Sequence, residues 1–420
     1  MAIISLWTTC LPTSGQAAVL TLQQAVALVQ QNNPALHAQQ QAAQAWARRP
    51  AQAVSLPDPV FSLSTINIPV DTWSTSQENM SQVQLGISQA LPFPGKLALL
   101  EDAAIHVAQA ASANVDELKF SLISQVSHSW WNLLYLQHAM TTVQRNQDLL
   151  RQLIRIAHTK YKVGKGLQQD VLLAQLELSK LLDVEIQLQA SEKQNQAQLQ
   201  QLLQLPMTQP IVLPEVVDES LPMLADAQTL TQQALVQRPR LKQQYQHQQA
   251  ARSRVMLADK ADFPDFTLTA KYGWRKNSDT GVERADLASL NLSMTMPFFT
   301  GDKQDALQEQ RRAELLQQDF LYQDLQSQVV RQVQVALAAY EQAKAQSLLF
   351  KTAIIPQAKQ TVTSMLAAYQ VNKVDFLNLI GAQITLYNYE TQYWKVLAQA
   401  KQSLAILYAT MGQTEEFSHE

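Results

Sequence analysis

The apolar positions of this chain follow two periods, and the change from one to the other happens twice. Val83, Leu85 and Ile87 alternate with Gln82, Gln84, Gly86 and Ser88, a period of two that predicts a strand with one apolar and one polar face. Phe266, Leu268, Ala270, Tyr272 and Trp274 alternate in the same way with Thr267, Thr269, Lys271, Gly273 and Arg275. Leu290, Leu292, Met294 and Met296 do so with Asn291, Ser293 and Thr295. Hairpins are therefore expected over about 60–90 and 264–297, and four strands in all, each of roughly the 9 to 11 residues that a tilted strand needs to cross a bilayer. Beyond each hairpin the period lengthens. From Gly95 to about Val163, and from Gly301 to about Tyr369, proline is almost absent and Pro356 alone interrupts the second run. Leu316, Phe320, Leu325, Val329, Val333, Leu337 and Tyr340 recur at the spacing of a coiled-coil or bundle seam. At about 1.5 Å per residue each run makes a rod on the order of 100 Å long. A second helix returns in each case, from about Leu167 to Leu205 and from Phe376 to Met411. The rods thus fold into helical hairpins over about 96–205 and 302–411, with tips near Val163–Asp170 and Val371–Asn378.

The two blocks are copies of one another. Pro92-Phe93 and Pro297-Phe298 stand 205 positions apart, as do Phe61-Ser62-Leu63-Ser64 and Phe266-Thr267-Leu268-Thr269, and Pro34-Ala35-Leu36 and Pro239-Arg240-Leu241. Tyr161-Lys162-Val163 and Tyr369-Gln370-Val371 are 208 apart, which marks a small insertion. A repeat this long predicts two structural halves related by pseudo-symmetry rather than a solenoid. The expected organisation is a first repeat over 19–210, a linker over 211–226, a second repeat over 227–412 and a tail over 413–420. Each repeat opens on a short helix pair, in the first Leu22, Val26 and Val29 and then Leu36 onward, with Pro34 suited to a first helical turn.

Composition narrows the class. Hydrophobic residues make up 46% and aromatics 7%, with 10 Gly in 420 residues, so the chain is mainly helical with a small β part. Abundant Gln and Ala suit long, uncharged helices. A formal charge of −3, with both signs evenly spread, argues against nucleic acid as a partner. The single cysteine, Cys10, excludes a disulfide framework. No run of 18 apolar residues predicts a transmembrane helix. Ala2 to Leu11 is a short apolar segment followed by small residues around Gly15 to Ala18, so a signal peptide is expected over 1–18, although no Lys or Arg precedes it. Lipidation of Cys10 is disfavoured by the bulky Trp7 before it.

A sheet with one fully apolar face cannot stand in lipid with open edges, because unpaired N–H and C=O groups would lie in hydrocarbon. It must close with copies of itself, and three chains supplying 12 strands make a barrel wide enough for a water-filled interior. Gln82, Gln84, Thr267 and Thr269 would then line the lumen, and Val83, Leu85, Ile87, Phe266, Leu268, Leu290 and Leu292 would face lipid. The competing reading is a soluble sandwich in which the same alternation buries an ordinary core.

The corner Leu91-Pro92-Phe93-Pro94-Gly95-Lys96, the tip Tyr161-Lys162-Val163-Gly164-Lys165-Gly166 followed by Asp170-Val171-Leu172, and the ending Thr385-Leu386-Tyr387-Asn388 together resemble the TolC family of outer-membrane efflux proteins, over roughly residues 20 to 412. The resemblance implies a homotrimeric 12-stranded barrel in the outer membrane of a Gram-negative bacterium, continuous with a periplasmic helical tunnel. It also implies docking to a periplasmic adaptor (membrane fusion protein) and an inner-membrane pump of the resistance-nodulation-division type. The Pro-Phe-Pro-Gly-Lys corner is most similar to the branch that serves heavy-metal exporters, so metal cations stand slightly ahead of drugs or polypeptides as cargo. Adaptor contacts would fall on Tyr161, Val163, Gly164 and Gly166 at the first tip and on Tyr369, Val371 and Asn372 at the second. These are equally ordinary helix-turn residues. The paired aspartates that narrow the entrance in well-known members correspond here to Asn378 and Gly381, neither of them acidic. Candidate carboxylates at the entrance are Asp170 and Asp375, and a helix N-cap is the simpler expectation for Asp170.

No metal-ligand spacing is present: His37, His106, His128, His138, His158, His247 and His419 include no i, i+4 pair. Nor is there a phosphate-binding loop or a nucleophile elbow. No cofactor and no enzymatic activity are expected; the chain reads as a passive duct whose energy comes from a partner. A secretion duct of the same build and a coiled-coil scaffold without a pore are the alternatives.

Overall fold

In the computed structural model of the chain, residues 19–371 and 373–414 are described. The expected signal peptide, Cys10, Asn372 and the end of the tail lie outside them. The elements run α1 Leu22–Asn32, α2 Pro34–Ala47, α3 Arg49–Val54, β1 Val60–Ile66, β2 Gln82–Leu91, α4 Lys96–Lys162, α5 Gln168–Leu203, α6 Ala227–Gln237, α7 Pro239–Asp259, β3 Phe266–Trp274, β4 Leu287–Met294, α8 Ala306–Leu349, α9 Ile355–Gln370 and α10 Phe376–Met411. The mainly helical class, the four strands and the duplication read from the sequence are all present. Two units divide the chain: one takes in Met1–His37, Asp116–Arg238 and Gln328–Glu420, the other Ala38–Val115 and Pro239–Ser327.

The second of these holds the sheet. Its strands are antiparallel in the order β1-β2-β3-β4, so β1 and β4 each leave one edge unpaired within the chain. Both are shorter, at 7 and 8 residues, than the strands expected, because each has a ladder on one side only. β1 ends where Asn67 turns left-handed (φ 55°) and its carbonyl accepts from Ser81 Oγ at 2.6 Å. The register sets Leu85 opposite Leu63 and Tyr272, Ile87 opposite Phe61 and Ala270, and Leu268 opposite Leu292. At the strand-to-helix corner Phe93 stacks on Phe263 at 4.6 Å, and Lys96 Nζ meets Asp265 at 2.9 Å. Polar seams then join the helices of this unit: His106 to Gln246 at 2.7 Å and Gln248 to Asp319 at 2.7 Å.

The other unit is built from hairpin helices. Leu150, Leu153, Ala157, Val171, Ala174, Tyr369, Phe376, Leu379 and Ile380 form one core near the tips. Tyr340, Ala343, Val396, Ala400 and Leu404 form another farther along. The segment between the repeats is strapped over this second core. Tyr340 Oη and Lys344 Nζ donate to the carbonyl of Pro222 at 2.6 and 2.8 Å, while Lys351 Nζ and Tyr393 Oη donate to Glu219 at 2.5 and 2.6 Å.

The second long rod is not the smooth helix that its period suggests. It opens on a π-helical turn at Gly301–Asp305, and a second π-turn at Phe350–Ile354 interrupts it. The second lies directly before Pro356, which has no N–H to offer the preceding turn, so the backbone widens there. Of the seam residues, Leu325, Val329, Val333, Leu337 and Tyr340 are buried, whereas Leu316 and Phe320 are exposed on the single chain. Among the described residues no helix is long and apolar enough to cross a membrane.

Candidate functional site

Two regions carry the residues singled out by sequence: the hairpin tips and the two faces of the sheet. At the first tip α4 stops because Gly164 takes φ +69°, a left-handed conformation that costs glycine nothing. The chain then reverses through hydrogen bonds from Gly164 N–H to the Tyr161 carbonyl at 3.0 Å and from Lys165 N–H to the Lys160 carbonyl at 2.8 Å. Gly166 is needed for space: a Cβ there would lie 2.9 Å from Lys160 Cβ. Tyr161 and Val163 are exposed. At the second tip Val371 is exposed as well, and Lys373 N–H closes the turn on the Ala368 carbonyl at 2.9 Å.

Tyr369 does not match Tyr161, its counterpart in the repeat. It is 4% exposed, with its ring 5.3 Å from that of Phe376. The Lys160 ammonium lies 3.9 Å from the ring centre and donates to the Tyr369 carbonyl at 2.6 Å. Expected as a partner contact, Tyr369 is instead a packing residue that joins α9 to α4, because the second tip buries the aromatic pair Tyr369 and Phe376 where Tyr161 at the first stays exposed. Burial, followed by the nearby Asp170 charge, raises its phenol above the ordinary tyrosine range.

Asp170 is not a helix cap. The N-cap of α5 is Leu167, and Asp170 sits inside the first turn, where its charge is favourable to the helix dipole. Asp375 occupies the N-cap position of α10 but makes no capping hydrogen bond. Asp375, Asn378 and Gly381 follow at intervals of three along the exposed side of α10, while Phe376, Leu379 and Ile380 point into the core. Behind this tip stands a polar group that the sequence did not disclose. Glu390 receives Arg145 and, at 3.3 Å, Lys359, and Gln383 Nε2 donates to Asn146 Oδ1 at 2.7 Å. Together they tie α4, α9 and α10. Arg145 and Glu390 are separated by 245 positions, so no local pattern links them.

The faces of the sheet are inverted relative to a soluble protein. Gln82 and Gln84 are 6% and 8% exposed, whereas Phe61 and Leu63 are 71% and 74% exposed. Leu85, Ile87, Leu268, Leu290 and Leu292 lie open, with Val83 and Phe266 half-buried. Thr267 and Thr269 are half-buried on the face of Gln82 and Gln84. Two glycines confirm which residues share that polar face. A Cβ on Gly273 would collide with Gln82 Oε1, and one on Gly86 would meet Ser62 Oγ at 2.7 Å and Lys271 Cγ at 3.1 Å. The sandwich reading fails here, since a sandwich would bury the apolar face. Among the described residues no group of three or more His, Cys, Asp or Glu side chains is placed to hold a metal ion.

Long helical hairpins joined to strands that turn their apolar side outward define a class of outer-membrane channel in which one chain supplies both duct and membrane strands. The family model described as "Outer membrane efflux protein" matches residues 25–204 and 230–413. The chain belongs to the outer membrane efflux protein family. Among curated relatives, the cobalt-zinc-cadmium resistance protein CzcC of Cupriavidus metallidurans is 22% identical over 409 residues, covering 94% of this chain and 91% of that protein. The outer membrane protein VceC of Vibrio cholerae has a similar solved structure, with a TM-score of 0.78 and 17% identity over 94% of this chain and 97% of that one. CusC, described in connection with transmembrane channel formation, matches with a TM-score of 0.77 and 16% identity over 98% and 99% of the two chains.

Proposed function

We propose that three copies of this chain form the exit duct of a tripartite efflux system in the outer membrane of a Gram-negative bacterium. Each supplies four strands to a 12-stranded barrel and two helical hairpins to a periplasmic tunnel. The observation that carries the reading is the inverted sheet. Its exposed apolar face demands lipid, and its two unpaired edges demand further strands, which other copies supply without leaving any edge in hydrocarbon. The tips, with Tyr161, Val163, Gly164 and Val371 exposed, Gly166 half-buried and Asn372 beside them in sequence, are the surfaces offered to a periplasmic adaptor, and an inner-membrane pump of the resistance-nodulation-division type supplies the energy. Asp170, Asp375, Asn378 and Gly381 are the candidates for the entrance. Conduction is passive, and opening is a change in packing of the 369–412 hairpin against its neighbours.

Heavy-metal cations are the favoured cargo, on the strength of the corner motif and of a relative whose name carries cobalt, zinc and cadmium resistance. One observation favours a broader cargo: Asn378 and Gly381 are not acidic, which leaves Asp170 and Asp375 as the carboxylates that could select cations at the entrance.

Light scattering on protein extracted from outer-membrane fractions, corrected for detergent, tests the assembly. A mass near three times that of the processed chain, which before processing is 47.0 kDa, is expected. A soluble monomer with nothing in the membrane would overturn the duct.

A further inference from the structure

The polar face of the sheet is uncharged except at one point. Among the described residues of the four strands, Lys271 is the sole charged side chain. Its face is fixed by geometry. Lys271 stands opposite Gly86 on β2 and Ser289 on β4, and its Cγ lies where a Gly86 Cβ would touch it, beside Ser62 Oγ. Gly86 therefore leaves a bare patch of wall over which the lysine stem runs. The ammonium makes no hydrogen bond or ion pair with any described residue. Every other neighbour on this face is neutral: Ser62, Gln84, Ser88, Thr269 and Asn291. The next cation along the chain, Arg275, is engaged differently. Its guanidinium donates to the carbonyls of Asn79 and Ala285 at 2.7 and 3.2 Å, and its backbone N–H to Asp286 at 2.9 Å, which spends it on bracing the loops beyond the strands.

We propose that Lys271 sets the charge preference of the barrel: repeated by the symmetry of the assembly, it forms a ring of free ammonium groups on a wall whose other strand residues are neutral, and it favours anions over cations. This rests on the barrel reading above, from which it borrows the lumen but not the lysine. Charges in a ring of roughly 10 Å radius still act on an ion at the axis through about one Debye length of salt, which at about 0.1 M gives a chloride-over-potassium preference of roughly fourfold, rising as salt is diluted. A metal cation released at the pump would cross this ring more readily as an anionic complex than as the free ion.

The test is the reversal potential of the purified full-length protein in planar bilayers under a KCl gradient, for the native chain, K271Q and K271E. The native channel is expected to prefer chloride, K271Q to lower the chloride-over-potassium ratio about fourfold, and K271E to prefer potassium. Conductance with the same ratio in all three proteins removes the lysine ring and leaves the duct standing. A native protein that neither conducts nor assembles near three times the chain mass removes the duct, and the ring with it. Placement is checked separately with K271C in a Cys10→Ser background: block of the current by a bulky thiol reagent supports a lumen position, and labelling without any change in current excludes it.

Discussion

Gly164 and Gly166 show how differently two glycines in one turn can be required. At Gly164 nothing lies within 4 Å of a would-be Cβ, so space is free and the demand is the left-handed backbone alone; at Gly166 it is the approach of Lys160 that forbids a side chain. Gly164→Val should cost about 1–2 kcal/mol at the tip and impair export while the assembly keeps its mass. Normal export and normal cross-linking to an adaptor in that variant would remove the tip from the functional surface. Titration offers a second test at this scale. Burial lowers the basicity of His138, against a smaller opposing pull from Glu219, and the imidazole stacks on Trp394 at 3.4 Å. Burial opposes ionisation of Glu219, yet hydrogen bonds from Lys351 and Tyr393 hold its carboxyl below the ordinary range. Both groups have folded values below their unfolded ones, so both contribute stability at neutral pH that is lost on acidification. The His138 share goes first, as pH falls from about 6.5, and the Glu219 share below about 4.3. Melting temperature should therefore fall between pH 7 and pH 5, and His138→Phe, which keeps the stack on Trp394, should make that fall smaller. An identical pH slope in the variant would show that the imidazole is not the group responsible.

Among the elements, the strands and helices differ in how fully the sequence announced them. Strict alternation at Gln82 to Ser88 and Phe266 to Arg275 named both faces, because a period of two leaves no freedom about which side a residue takes. Leu85→Arg on the exposed apolar face should therefore cost about 2–4 kcal/mol in the membrane, while Thr269→Arg on the polar face should leave outer-membrane yield near normal. Equal yields from the two variants would contradict the assigned faces. The helices were legible as to extent, since Gly and Pro punctuate them, but not as to their defects. Pro356 signalled a break, yet not that the preceding turn widens to a π-helix, a matter of how the surrounding bundle accepts an extra residue. The tips were less legible still. Tyr369 looks equivalent to Tyr161 in the repeat, and only the packing of Lys160 and Phe376 around it shows the difference. Glu390, which joins Arg145 and Lys359, had no local signature at all, since its partners come from helices far apart in the chain.

For the molecule as a whole, duplication explains why one gene product carries two nearly alike strand pairs and hairpins. It does not make the halves interchangeable. The first rod is a single helix of 67 residues, Lys96–Lys162, whereas the second is divided at the Phe350–Ile354 π-turn into α8 and α9. The segment between the repeats bears on this second rod through Tyr340, Lys344 and Lys351, the last of them within the π-helical turn itself. Divergence has thus placed the irregular, strapped helix in one copy and left the other continuous.

The outward-facing apolar side of the sheet has a consequence for the life of the chain before it reaches its membrane. A newly made copy in water carries Phe61, Leu63, Leu290 and Leu292 bare on one surface and two strand edges ready to pair with anything extended. Such a molecule is a seed for aggregates for as long as it stays in solution. On the barrel reading, transit calls for holding factors that mask the sheet, and insertion for a step that gives the strands to lipid and to sister chains together.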